Sequence, residues 1–139
     1  MSTTLDGANA MYSIRHFIGL SQKTAIREYI QHSEESQHFI NKMIEYAQRI
    51  EAMPKVYEQD GIGENAVAHL HYFIGGCDWW ITEKDTSAEQ YQAFGLADLG
   101  YGAELGYISI EEITGCGAEL DLFWTPCTLA ELKENSPVD

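Results

Sequence analysis

The chain has 139 residues, 45% of them hydrophobic, which is enough to form one domain with a single core. No apolar run reaches the roughly 18 residues of a membrane span, and no cationic region followed by an apolar one begins the chain, so no secretory signal is expected. The three cysteines have no C-x-x-C spacing, which favours free thiols and a cytoplasmic protein.

The formal net charge of −14 is confined to the C-terminal part of the chain. Residues 1–55 contain six lysines or arginines and six acids, whereas residues 56–139 contain two and sixteen. We therefore divide the single predicted domain, 1–139, into a helical, charge-balanced part and an acidic sheet part. A negative field repels nucleic acid and anionic lipid and attracts basic protein surfaces. The simpler alternative is that these acids only keep the protein soluble.

The charge-balanced part has the apolar spacing of helices. Residues 10–20 predict a short helix, and a second helix runs from an N-cap at Ser21 to about His32. The best-defined element is an amphipathic helix at 33–53, whose apolar residues recur three and four apart. Pro54 ends it, because the residue before a proline avoids the helical region.

The acidic part has short apolar runs separated by turn residues, which is typical of strands. Strands are predicted at 66–74, 79–83, 91–97, 103–109 and 120–124. Gly75 and Gly76 form a hairpin turn between the first two, and capping boxes begin short helices at Ser109 and Thr128. This order predicts an α+β fold in which N-terminal helices pack on a mainly antiparallel, four- to five-stranded sheet with short helical inserts.

Four segments of the chain carry a family resemblance. They are Met53–Phe73, Trp79–Asp85, Gln92–Ile113 and Glu119–Leu132. In this order they resemble domain-of-unknown-function family 2958, which is found on plasmids and integrative mobile elements. The resemblance implies a cytoplasmic accessory protein of a mobile genetic element. It carries no catalytic motif, so it assigns no site residue.

Two histidines form the one candidate metal site. His69 and His71 are two residues apart in a predicted strand, so both imidazoles face the same side within about 7 Å of one another. Such a pair can share a metal with a third ligand from a neighbouring strand, for which Glu83, Asp85 and Cys77 are candidates. We favour the alternative, in which both histidines belong to a half-exposed sheet face, and we expect no metal or other cofactor.

The other sequence patterns that could indicate a catalytic site are weak. The glycines of residues 99–107 fit neither phosphate-loop spacing and have no basic residue nearby. Cys116 stands between two glycines in an acidic region, whereas a reactive thiol usually needs a cation or a histidine nearby, so it is interpreted as a turn residue. The acids include possible carboxylate pairs, but nothing in the sequence fixes their separation. No catalytic residue is assigned.

The sequence therefore predicts a non-enzymatic interaction protein. Its acidic surface would occupy a basic site on a host nucleic-acid-binding protein, as anti-restriction and anti-CRISPR inhibitors do. The predicted partner-binding residues are Asp60, Glu64, Asp85, Glu89, Asp98, Glu111 and Glu112. Charge disfavours direct binding to nucleic acid, although Arg15, Lys23 and Arg27 form a local basic patch. Two alternatives stay open: a metal-dependent hydrolase that uses His69 and His71, and a homodimer or larger scaffold assembled through an exposed aromatic sheet face.

Overall fold

A computed structural model of the protein describes residues 1–56, 58–59, 61–84 and 92–135. The helices of the first part are α1 (Thr4–Ser13), α2 (Leu20–His32) and α3 (Ser36–Ala52). A 3-10 turn, Arg15–Phe17, separates α1 from α2. A second 3-10 turn, Gly63–Asn65, precedes the strands.

The remaining elements form two sheets and two short helices. The strands are β1 (Val67–Ala68), β2 (Leu70–Ile74), β3 (Cys77–Lys84), β4 (Gln92–Asp98), β5 (Ala103–Ser109), β6 (Glu119–Leu120) and β7 (Cys127–Thr128). The helices α4 (Ile110–Gly115) and α5 (Leu129–Asn135) follow β5 and β7. The main sheet has the order β5-β4-β3-β2-β6 with antiparallel neighbours, and β1 pairs only with β7. The predicted α+β class with N-terminal helices and an antiparallel sheet is confirmed.

The first helix differs from its prediction. It begins at Thr4 because Thr3 and Asp6 form a capping box, in which the Thr3 hydroxyl accepts from the Asp6 N–H at 3.1 Å and the Asp6 carboxylate accepts from the Thr3 N–H at 2.8 Å. The helix ends at Ser13, so the predicted helix at 10–20 is wrong beyond that residue. Gly19 is the N-cap of α2, two residues before the predicted cap at Ser21.

The long amphipathic helix is confirmed, with a start three residues later than predicted. The Ser33 hydroxyl accepts from the Glu35 N–H at 2.9 Å, which makes a turn before the helix rather than its first cap. Met43 and Tyr46 are completely buried on its apolar face. The Tyr46 hydroxyl donates to the Asp121 carbonyl oxygen at 2.8 Å, which joins α3 to the chain after β6.

Two predicted strands are corrected. The run 66–74 is interrupted at His69, because β1 leaves the main sheet to pair with β7 while β2 pairs with β3 and β6. The last predicted strand, 120–124, is wrong beyond Leu120. There the Asp121 carboxylate accepts from the Phe123 N–H at 2.9 Å and turns the chain. The predicted connector Asp85–Glu89 and the first residue of the strand at 91–97 lie outside the described residues.

Different elements pack on the two faces of the main sheet. The inner face packs on the helices, and its side chains share one buried cluster with residues of α1, α2 and α3. That cluster includes Leu70, Tyr72, Trp79, Ile81, Ala93, Ile108 and Leu120. The outer face carries the alternate side chains His71, Phe73, Asp78, Trp80, Leu96 and Asp98. A smaller cluster around Leu129 of α5 covers it at Trp80 and Leu96, whereas Phe73 and the Asp78 side chain are each 37% exposed.

Gln22 of α2 connects the helices to the edge of the sheet. Its side-chain amide donates to the Leu120 carbonyl oxygen and accepts from the Leu120 N–H, both at 2.8 Å. The neighbouring Asp121 N–H points the other way, to the His71 carbonyl oxygen in β2. Gln22 therefore occupies the position of a further strand on the free side of β6.

None of the helices in the described ranges is long and apolar enough to cross a membrane.

Candidate protein-binding site

Carboxylates from three strands form a row across the outer face. Asp98 of β4 lies opposite Asp78 of β3, Asp78 lies opposite Phe73 of β2, and Phe73 lies opposite Glu119 of β6. Residues that are paired in register share a face, so these side chains are neighbours. The row therefore places three negative charges and one aromatic ring side by side.

His71 binds two carboxylates next to this row. Its Nδ1 lies 2.9 Å from Asp121 Oδ2 and its Nε2 lies 2.8 Å from Asp78 Oδ1. Both contacts are hydrogen bonds only when both ring nitrogens carry hydrogen, or when one carboxyl group keeps its proton. Each ring nitrogen of His71 thus contacts one carboxylate, and the two contacts fix the orientation of both acids.

Three aromatic rings enclose the His71 imidazole. Trp80 stacks on it with centroids 5.5 Å apart and planes at 16°, while Phe73 and Trp124 lie at 5.8 and 5.2 Å. Trp124 is itself fixed, because its indole N–H donates to the Ala68 carbonyl oxygen at 3.0 Å. The His71 ring is therefore a rigid support for Asp78 and Asp121.

His69 and His71 have different surroundings in the structure. His69 lies between β1 and β2, where burial lowers the pKa of its imidazole and the Arg49 guanidinium lowers it further. Both ring nitrogens of His71 face carboxylates, so it can bind a metal only by giving up one of them. In the part of the chain that is described, no three His, Cys, Asp or Glu residues are grouped to hold a metal ion.

The predicted partner-binding acids occupy different regions. Asp98 lies in the carboxylate row, where its side chain also accepts from the Gly100 N–H at 2.8 Å. Glu64 forms an ion pair with Lys133 of α5. Glu111 and Glu112 lie in the first turn of α4, a helix that contacts the 3-10 turn Arg15–Phe17 and whose Ile110 belongs to the buried cluster of the inner face. Asp60, Asp85 and Glu89 lie outside the described residues.

The acids that the row adds were not predicted as partner-binding residues. Asp78 lies in one segment of the chain, whereas Glu119 of the row and Asp121 beside the row lie together in another. Only the pairing of β6 with β2 brings the last two beside Asp78. A two-residue strand leaves almost no periodic signal, so its sheet position cannot be read from sequence.

Exposed apolar side chains border the acidic end of the outer face. The turn between β4 and β5 contains two glycines with positive φ, Gly100 and Gly102, which hold Tyr101 at 98% exposure. Leu99 in the same turn is 55% exposed. Exposed aromatic rings are enriched at protein–protein interfaces.

The local basic patch lies on the helices. Arg15, Lys23 and Arg27 line a concavity of about 440 Å³ between α1 and α2. The Arg15 guanidinium lies 4.0 Å from the centre of the Tyr12 ring and donates to the Tyr12 carbonyl oxygen at 2.8 Å. The positive and negative surfaces of the protein are thus built by different layers.

Cys116 has the turn role that its sequence context indicates. It is the C-cap of α4, and its N–H donates to the Glu112 carbonyl oxygen at 3.1 Å. Gly117 follows with φ 105°, which lets the Ala118 N–H return to the Ile113 carbonyl oxygen at 3.0 Å. The thiol is exposed.

Helices on one face of the sheet and a carboxylate row on the other define a two-layer α+β protein with one acidic face. The chain belongs to the family described as protein of unknown function (DUF2958), whose model matches residues 24–124. No curated protein and no solved structure gives a significant match to the chain.

Proposed function

We propose that the protein is a non-enzymatic binding protein whose outer sheet face binds a basic surface of another protein. The observation that carries this proposal is the row of Asp98, Asp78 and Glu119, which includes the Phe73 ring and is followed in the β4–β5 turn by the exposed Tyr101. A guanidinium from a partner can pair with a carboxylate of the row and stack on Phe73 or Tyr101. The net charge of −14 speeds the encounter with a basic surface.

The row has a stability cost that supports a binding role. Asp78 and Asp98 are directly opposite in an antiparallel pair, and like charges in that position destabilise a sheet. The His71 imidazole offsets part of the cost at Asp78, but the described residues place no lysine or arginine in an ion pair with Asp98. A basic partner would supply the missing counter-charge.

The resemblance to proteins of plasmids and integrative elements motivates the kind of partner. We infer that the target is a nucleic-acid-binding protein of the host, and that the carboxylate row occupies the groove where phosphates normally bind. The protein would then act as an anti-restriction or anti-CRISPR inhibitor of a mobile element. This finer proposal depends on the charge and the resemblance together.

The test is affinity capture from a bacterial lysate with the full chain, eluted in steps of salt. We compare the wild type with Asp98→Lys/Glu119→Lys, which reverses two charges of the row, and with Glu28→Lys/Glu34→Lys, which makes the same charge change at exposed positions on the helical layer. We expect a DNA-binding protein to be retained by the wild type and the control but not by the row variant. Duplex DNA should compete for it, and moderate salt should release it.

Two outcomes would contradict the proposal. One is equal retention of the same protein by the row variant and the helical control, which would assign binding to net charge alone. The other is capture of nothing that DNA displaces.

The two alternatives receive less support. A hydrolase that uses His69 and His71 has to dissociate His71 from Asp78 or Asp121 before it can bind a metal. A homodimer formed through the outer face has to bring two carboxylate rows together, which like-charge repulsion opposes. Light scattering under dilution tests the second alternative.

A further inference from the structure

A cavity of about 350 Å³ lies beside the β3–β4–β5 part of the sheet, separate from the carboxylate row. Its walls include the apolar side chains Phe94, Leu105 and Leu129 together with the Tyr107 ring, and Phe94 and Tyr107 meet edge to face at 5.5 Å. Thr82 and Glu83 contribute polar groups. A mostly apolar cavity of this size with few polar groups is typical of a small-molecule site.

A bulge in β3 brings Glu83 to this cavity. Ile81 pairs with Gly95 and Glu83 pairs with Phe94, so one extra residue, Thr82, stands between the two pairs. Without the bulge the alternation of the strand would turn Glu83 to the inner face with Ile81. With it, the Glu83 side chain lies on the side of Phe94 and is only 4% exposed.

The described residues provide only some of the hydrogen-bond donors that the Glu83 carboxylate can accept from. The Gln59 N–H donates to Oε1 at 3.0 Å. The Thr82 hydroxyl is 3.4 Å from Oε2, but its one hydrogen has a nearer acceptor in the Phe94 carbonyl oxygen at 3.1 Å. The Gln59 side-chain amide forms its hydrogen bonds with backbone groups of Val67 and Thr82.

No cation neutralises Glu83 within the described ranges, where the ion pairs involve other acids. The adjacent Lys84 is directed away. Its ammonium donates to the carbonyl oxygens of Ile50 and Glu51 at 2.7 and 2.8 Å, at the C-terminal end of α3. A buried carboxylate without a counter-charge is costly, and a positively charged ligand removes that cost.

We propose that this cavity binds a small organic ammonium ion with an apolar or aromatic body, and that Glu83 pairs with its nitrogen. The ammonium supplies a hydrogen-bond donor and a positive charge that the described residues do not provide at Glu83. The body of the ligand replaces water against Phe94, Leu105 and Leu129. The proposal is independent of partner binding by the carboxylate row.

The test is a calorimetric titration of the full chain with 2-phenylethylamine and with its neutral analogue 2-phenylethanol. We expect saturable binding of the amine at one site, at least about tenfold tighter than the alcohol, which corresponds to about 1.4 kcal/mol. Glu83→Gln keeps an acceptor for the Gln59 N–H and removes the charge, so the amine should lose about tenfold or more in affinity. Glu104→Gln, the same change at an exposed position of β5, should bind as the wild type does.

A second pair of variants keeps the test decisive if Glu83→Gln does not fold. Leu105 lines the cavity but is 54% exposed, so Leu105→Trp fills the cavity without disturbing the core. It should abolish amine binding, whereas Leu99→Trp, at an exposed position outside the cavity lining, should not. Equal affinity for amine and alcohol, unchanged binding in Glu83→Gln or Leu105→Trp, or no saturable binding of the amine would overturn the proposal.

Discussion

Gly95 in the centre of β4 has no room for a side chain. A Cβ atom there would overlap the Trp80 carbonyl oxygen of β3 and lie 2.9 Å from its carbonyl carbon. Both atoms belong to the backbone beside the β3 bulge and cannot move without breaking the ladder. The bulge at Thr82 in β3 therefore requires a glycine at this position of β4.

Gly95→Ala should destabilise the protein by about 3 kcal/mol or more, because two paired strands have to separate to admit the methyl group. Gly106 is the matched control, since it is paired with Gly95 across β4 and β5 and has open space around its own Cβ position. Gly106→Ala should change the free energy of unfolding by about 0.5 kcal/mol or less. Urea unfolding measures both. Equal effects would contradict the close contact between β3 and β4.

The neutral His69 imidazole should make stability depend on pH. Burial lowers its pKa from the ordinary 6.5, so below that pH the unfolded chain binds a proton that the folded chain does not. Stability therefore falls as the pH drops from 6.5 towards the lowered pKa. His69→Gln should lose less stability than the wild type between about pH 7.5 and about pH 5.5. Parallel losses in urea unfolding would show that His69 does not contribute.

The helices and the sheet share one buried cluster, to which α3 contributes the completely buried side chains of Met43 and Tyr46. Met43 has no exposed surface. Met43→Ala should therefore cost about 2 to 5 kcal/mol through lost apolar contact and a residual cavity. Gln48→Ala, at an exposed position of the same helix, should have little effect. Thermal unfolding of both variants checks this, and a small loss for Met43→Ala would mean that the helix does not hold the sheet.

The elements that sequence predicted well have a strong local signal. The α3 helix has five turns of apolar spacing, the Gly75–Gly76 hairpin has its turn residues, and β5 matches its predicted bounds of 103–109. The start of α1 has a weaker signal, a Thr3-x-x-Asp6 capping pair in which Asp replaces the usual Glu or Gln. Local patterns therefore predicted the α+β class but not all element ends.

The candidate sites depend on contacts that no local pattern contains. The carboxylate row requires the strand order β4-β3-β2-β6, and its last member belongs to a strand of two residues. Glu83 reaches the cavity only through the Thr82 bulge, for which the surrounding residues give no sequence signal. The charge asymmetry along the chain predicted an acidic part. Which of its acids are neighbours depends on how the strands pair, and the sequence does not show that.

At the scale of the whole molecule, self-repulsion among the acids should reduce stability at low ionic strength. With a net charge of −14, raising the salt from about 0.01 M to about 0.1 M shortens the screening length from about 30 to about 10 Å. The urea midpoint should therefore rise with salt. Asp98→Asn should raise the low-salt midpoint further, because it removes one charge opposite Asp78. A midpoint that falls with salt would mean that favourable ion pairs dominate.

Gln22, which binds the backbone of Leu120, lies just outside the part of the chain that matches the family model. The family match starts at residue 24, so a fragment cut to residues 24–124 loses the amide that covers β6 and leaves a free N–H and carbonyl on the open side of the sheet. Unpaired strand edges recruit other chains. Even in the full chain, Gln22→Ala should promote self-association, measured by light scattering, while Gln48→Ala should not. If Gln22→Ala stays monodisperse on prolonged incubation, another group protects the open edge of β6.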